Sequence, residues 1–157
     1  MTTAARRLDA AAATSALEIR VDARPERVWR TVTERPDEWW IDDLRCVPGG
    51  SEMSLDARAG GMLIERSRDG GSLLWFTVIA VEPGRSLHLA GSLAPPYGGP
   101  AQTFLWLALE EDGEATVVRM THSLHGHVAE GSLAEMERGW RLLLEKGLKP
   151  AVEGGSA

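Results

Sequence analysis

The sequence predicts an α+β fold in which a curved antiparallel sheet of about seven strands wraps around a long C-terminal helix, with two short helices after strand 1. Three observations predict it. The segment Leu17 to Ala23 alternates apolar and polar residues as a half-buried strand does. From Ser51 to Ser123 the chain repeats strand-like runs between Gly, Pro and Asp turns, and from Val128 to about Val152 apolar residues recur at three- and four-residue steps.

Taken in order, Leu17, Ile19, Val21 and Ala23 form one face of the first strand. Pro25 then stands where a first helical turn needs no N–H donor, and Val28, Trp29 and Val32 give the segment to Glu34 an apolar stripe. A second short helix follows Pro36 and carries Trp39 and Trp40, before a loop from Ile41 to Gly50. The meander is expected over 52–57, 62–67, 72–81, 86–92, 103–110 and 115–123. Its turns are marked by Gly60-Gly61, Asp69-Gly70-Gly71, Pro83-Gly84, the Pro95 to Pro100 run and Asp112-Gly113. In the last helix Leu133, Met136, Trp140, Leu143, Leu144 and Leu148 share a face.

At 157 residues the chain is read as one domain over 17–152, flanked by a flexible Ala-rich arm at 1–16 and a disordered tail at 153–157. Hydrophobic residues at 43% and charged residues at 25% describe an ordinary globular protein, and no apolar run is long enough to span a bilayer. A net charge of -6 argues against nucleic acid as a partner, because a phosphate backbone needs clustered cations. The first 16 residues lack the apolar core of a secretory signal, and Cys46 stands alone, so no internal disulfide can form; a cytoplasmic location is expected.

Several short motifs occur in a telling order. Asp56-Ala57-Arg58-Ala59-Gly60-Gly61-Met62, the strand-turn-strand Val78 to Leu87 with Pro83, Thr116 to His122, and Gly139-Trp140 span roughly residues 17 to 150. In that order they resemble the family of the activator of heat-shock-protein-90 ATPase, within the START and polyketide-cyclase superfamily. The resemblance implies a helix-grip fold, whose curved sheet often leaves an apolar cavity beneath the terminal helix. Two departures stand out, because Leu63 and Gly91 occupy positions where the family often has aromatics.

Strand parity supplies the candidate site. With Val118, Met120 and His122 on one face, the matching residues are Leu105, Leu107 and Leu109, then Leu74, Phe76 and Val78, then Leu87 and Leu89. A ligand-binding cavity is expected among Trp40, Phe76, Leu89, Leu107, Met120, His122, Met136 and Trp140, the imidazole offering an oriented polar contact. The competing reading packs these residues as plain core, with His122 bonded to the backbone. Parity also places Trp75, Phe104 and Trp106 on the outer face, where a homodimer or chaperone contact would use them. A register slip, or cover from a loop or the N-terminal arm, would remove that surface.

No catalytic residue is assigned, since the chain has no Gly-x-Ser-x-Gly elbow, no phosphate-cradling Gly-rich loop with Lys and no His-Glu-x-x-His helix. His122, His125 and His127 invite a metal reading, but Gly126 implies a turn between them and no carboxylate completes a ligand set, so neither metal nor cofactor is expected. Cys46 is read as inert, and Asp56 with Arg58 as a surface pair. The function expected is binding of a small hydrophobic or aromatic molecule. The alternatives are an aromatase- or cyclase-like enzyme using His122 as acid or base, and an interaction module acting through the outer sheet face.

Overall fold

The computed structural model describes residues 4–155. Seven strands form one antiparallel sheet: β1 (Ala11–Val21), β2 (Ser51–Leu55), β3 (Met62–Ser67), β4 (Ser72–Glu82), β5 (Ser86–Leu93), β6 (Ala101–Asp112) and β7 (Ala115–Gly126). Their spatial order is β1-β7-β6-β5-β4-β3-β2, so the first strand closes the sheet beside the last and the β2–β3 hairpin forms the far edge. Helices α1 (Pro25–Glu34) and α2 (Pro36–Trp39) follow β1, as expected. The C-terminal helix runs from Ser132 to Gly154: α3 (Ser132–Leu142), a wider π-helical segment (Leu143–Leu148) and α4 (Lys149–Gly154).

Three boundaries differ from the sequence expectation. β1 begins at Ala11, where Ala11 to Ala16 pair with Thr121 to Gly126, so this part of the presumed flexible arm is strand. Small residues are compatible with a strand once a partner strand supplies the hydrogen bonds. At the other end the helix includes Glu153, whose carboxylate accepts the Asp22 N–H at 2.8 Å, so the tail does not begin there. Residues 1–3 and 156–157 of the expected arm and tail lie outside the described residues. The terminal helix starts at Ser132 rather than Val128, and Leu133 in its first turn is exposed, not part of the buried stripe.

Past Trp140 the helix buries its apolar face completely. Leu143, Leu144, Leu148 and Val152 have no exposed surface, and each such side chain contributes about 1.5–3 kcal/mol relative to exposure. Pro150 explains the π-helical turn before it: proline has no N–H for the carbonyl four residues earlier and its ring crowds that carbonyl, so the wider turn relieves both. Gly147 is needed where this turn meets α2, since a Cβ there would lie 2.1 Å from the Trp39 carbonyl oxygen.

Two bulges in β4 set which residues face the helix. Leu63 pairs with Phe76 and Ile64 with Leu74, which leaves Trp75 as an extra residue; Ile79 is likewise extra between the Val78–Leu89 and Ala80–His88 pairs. Each bulge shifts strand parity by one. Leu74, expected inside, is 48% exposed, while Phe76 and Val78 remain buried. No helix among the described residues is long and apolar enough to cross a membrane.

Candidate ligand-binding site

Between α3 and the sheet lies a cavity of about 250 Å³ walled by Cys46, Leu73, Leu74, Trp75, Phe76, Ser92, Leu93, Tyr97, Thr103, His122, Met136 and Trp140. A second space of about 240 Å³ adjoins it and adds Trp40, Leu44, Ser132, Glu135 and Gly139. The two share Trp75, Tyr97, Met136 and Trp140 as walls. Trp140 is the hub of an aromatic cluster: its ring centroid lies 5.5 Å from His122, 6.1 Å from Phe76 and 6.2 Å from Trp40.

Of the residues expected to line a cavity, Phe76, His122, Met136 and Trp140 do so, and Trp40 lines the adjoining space. Leu89, Leu107 and Met120 instead pack as buried core and touch neither space. Trp75 corrects the outer-face assignment. Being the bulged residue of β4, it turns toward the cavity, sits 4.9 Å from Trp40 by ring centroids and donates its Nε1–H to Glu65 at 3.0 Å. Phe104 and Trp106 do lie on the outer face, 45% and 47% exposed, with His88 stacked on Trp106.

Two polar networks hold the tryptophan walls, one buried around Glu65 and one at the surface joining Arg45 to the half-exposed Asp37. Glu65 has no exposed surface, and besides Trp75 its carboxylate accepts the Cys46 N–H at 3.0 Å, the Val47 N–H at 2.8 Å and the Ser51 hydroxyl at 2.7 Å. Burial opposes ionisation of Glu65, but these four hydrogen bonds outweigh it and hold the carboxyl below its usual range. Arg45 donates to the Trp40 carbonyl through Nη2 at 2.9 Å and pairs with Asp37 at 2.8 Å. Asp37 also accepts the Met53 N–H at 2.8 Å; burial opposes its charge too, and the Met53 and Arg45 hydrogen bonds again prevail, lowering its pKa.

His122 on β7 is 6% exposed, and burial alone pushes its imidazole pKa down, so it is neutral at pH 7. Burial, and secondarily the Glu65 charge, pushes the Cys46 thiol up, which keeps it protonated. The other histidines diverge from His122: His125 pairs across the sheet with Gln102, whereas His127 Nδ1 lies 2.9 Å from the Asp9 carbonyl. Among the described residues no group of three His, Cys, Asp or Glu side chains is placed to hold a metal. Asp56 and Arg58 form their expected pair at 2.7 Å, exposed and therefore weak.

Gly91, one of the two departures from the family pattern, has a steric role. A Cβ there would lie 2.5 Å from the Trp75 carbonyl oxygen and 2.9 Å from the Phe76 ring. The missing side chain makes room for the Trp75 bulge, so an aromatic wall is supplied from β4 instead of β5. Leu63, the other departure, is buried opposite Phe76.

Glu65, Arg45, Asp37 and Tyr97 were not among the sequence candidates. Glu65 carried a usable signal: by parity it shares the inward face of β3 with Leu63, and a carboxylate inside demands donors. The other three act through loops and short helices, where no periodicity marks them.

An open antiparallel sheet gripping a C-terminal helix, with a cavity between the layers, defines a helix-grip, START-like protein. Residues 22–153 match the family described as Activator of Hsp90 ATPase homolog 1-like protein, and the chain belongs to that family. A Rhizobium leguminosarum protein of uncharacterised function shares the fold at TM-score 0.73 and 19% identity, over 96% of this chain and 100% of that one. The Aha1 dimer from Colwellia psychrerythraea matches at TM-score 0.66 and 23% identity, over 92% and 99% of the two chains. CalU16 from Micromonospora echinospora matches at 0.64 and 22%, over 97% and 88%. No curated protein matches the chain.

Proposed function

We propose that the protein binds a small hydrophobic or aromatic molecule in the cavity beneath α3. The observation that carries this reading is an aromatic-walled space of about 250 Å³, in which Trp75, Phe76 and Trp140 are held by packing and by the Glu65 network rather than closing on one another. The space opens to solvent beside Leu74 and Tyr97, both about half exposed, which leaves a small molecule a way in. The test is titration with N-phenyl-1-naphthylamine, which brightens in apolar surroundings. The expected result is one saturable site per chain that is lost in the cavity-filling variant Leu93→Trp; a signal that never saturates, or that survives this variant, argues against the cavity. Cyclase-like catalysis is less supported, because among the described residues no polar side chain pairs with His122.

A second reading rests on the outer face, where Phe104 and Trp106 are about half exposed and Met62 and Ile79 are also open to solvent. An apolar surface of this kind suits a homodimer or a chaperone partner. The Colwellia psychrerythraea relative is described as a dimer, which supports self-association as the first form to test. A cytoplasmic location accords with either reading.

A further inference from the structure

Six polar or charged side chains are buried among the described residues, and the protein satisfies four of them. Thr31 and Thr33 donate to the Arg27 and Trp29 carbonyls, Thr116 donates to the Ala23 carbonyl, and Glu65 accepts four hydrogen bonds. The other two, Thr103 and His122, are 7% and 6% exposed, and their side chains have no hydrogen-bond partner among the described residues. Native proteins seldom leave a buried polar group unmatched without a reason.

These two groups share one place in the fold. Thr103 opposes Leu124 and His122 opposes Leu105 across the β6–β7 pair, so they are diagonal neighbours on the inner face, and both wall the cavity of about 250 Å³. Diagonal neighbours of this kind stand about 7 Å apart, a span that one ligand oxygen bridges between two side chains. Their polar atoms are also open to the cavity. Among the described residues the unpartnered side-chain atoms sealed from any space are Arg27 Nε and the Trp40 and Trp140 Nε1 atoms, so Thr103 Oγ1 and the His122 ring nitrogens keep accessible surface. Gly91, opposite Thr103 on β5, keeps that approach clear, since a Cβ there would lie 3.1 Å from Oγ1. The remaining polar residues of the wall are engaged or peripheral: Ser92 bonds Gln102, the Cys46 Sγ lies 3.8 Å from the Leu44 carbonyl, and Tyr97 is half exposed at the mouth.

The chemistry of the pair narrows its ligand. A neutral imidazole offers one N–H and one lone-pair nitrogen, and a threonine hydroxyl both donates and accepts. A ligand hydroxyl answers both at once by donating to one and accepting from the other, whereas a carbonyl or ether oxygen only accepts. No Lys or Arg lines the cavity, so an anion would lose its water without gaining a counter-charge. The volume lies below the roughly 300–1,000 Å³ of most ligand pockets, which limits the occupant to one or two rings.

Building on the proposed ligand-binding role, we infer that the ligand is a small uncharged phenol, whose hydroxyl donates to the His122 imidazole and accepts from the Thr103 hydroxyl while its ring lies against Trp75, Phe76 and Met136. A phenolic hydroxyl is more acidic than an aliphatic one and is the better donor to an imidazole nitrogen.

The test compares 2-naphthol, 2-methoxynaphthalene, which accepts but cannot donate, and 2-methylnaphthalene, which does neither, by equilibrium dialysis at pH 7.5. The naphthol is expected to bind about tenfold more tightly than either analogue, the worth of one to two neutral hydrogen bonds. A site without polar partners reverses this order, because the hydroxyl is then buried uncompensated. Thr103→Val and His122→Phe, which remove the polar group and keep a similar shape, are each expected to shrink the advantage of naphthol over methylnaphthalene. Methylnaphthalene or methoxynaphthalene binding as tightly as naphthol, or an advantage that survives both substitutions, overturns the phenol assignment and leaves a purely apolar site standing. Absence of binding by all three overturns both the assignment and the ligand-binding role.

Discussion

Glu65 and Trp75 are joined by a 3.0 Å hydrogen bond from the indole N–H to a carboxylate with no exposed surface. The same carboxylate receives the Cys46 and Val47 backbone N–H groups, so one side chain ties the loop after α2 to the bulge of β4 that walls the cavity.

Removing that carboxylate leaves four donors unpaired. Glu65→Ala is expected to lower stability by about 3–4 kcal/mol, since each buried orphan donor is costly and the four share one acceptor group. Chemical denaturation with a matched slope checks it; a loss below ~1 kcal/mol means the loop finds other partners.

The lowered Glu65 pKa has a signed consequence for acid stability. Its folded value lies below the unfolded one, so its stabilising contribution is complete above the ordinary carboxylate pKa and is lost as pH falls through the folded value. Between about pH 5 and pH 2 the wild type is expected to lose stability more steeply than Glu65→Gln. Parallel melting curves across that range contradict the assignment.

His122 acts in a different pH window. Its folded pKa is depressed by burial, so the unfolded chain takes up the proton first, and stability complete above about pH 6.5 declines as pH falls through the folded value. His122→Phe is expected to flatten the stability profile just below pH 6.5 while leaving the acid limb due to carboxylates. The check is the difference in melting temperature between the two proteins at pH 7.5 and pH 5.5.

Gly91→Ala places a methyl group 2.5 Å from the Trp75 carbonyl, a contact that backbone atoms cannot relieve by side-chain rotation. Overpacking of this kind costs about 1–3 kcal/mol. Because the pressure falls on the bulge, Trp75 fluorescence is also expected to change; an unchanged spectrum and stability contradict the steric role.

On the outer face, sedimentation of wild type and Trp106→Ala tests self-association. Wild type is expected to form a dimer that the variant weakens, because Trp106 with Phe104 supplies the large exposed apolar surface of β6. A wild-type monomer at high concentration excludes this face as a dimer contact.

The architecture was legible in the sequence because period-two and helical repeats are long and separated by Gly, Pro and Asp turns. Strand parity also located His122 and Phe76 on the cavity side, and helical periodicity located Met136 and Trp140. Parity failed at Trp75 because the bulge adds one residue to β4 and a one-residue shift exchanges the faces, while Leu74 borders the cavity but is 48% exposed at its rim. It also placed Leu89, Leu107 and Met120 in the cavity wall, where facing inward proved to mean packed core, since sheet parity says nothing about depth beneath the helix. The Ala-rich stretch before Leu17 was invisible as strand because its order comes from pairing with β7, not from its own side chains.

The most direct measurement is a nitrogen–proton correlation spectrum of the six indole N–H groups, assigned by single Trp→Phe variants, with and without N-phenyl-1-naphthylamine. Ligand binding in the cavity predicts that the Trp40, Trp75 and Trp140 signals move with a common saturation curve while Trp106 stays in place. Movement of Trp106 alone, or of no indole at all, contradicts a ligand-binding cavity beneath α3.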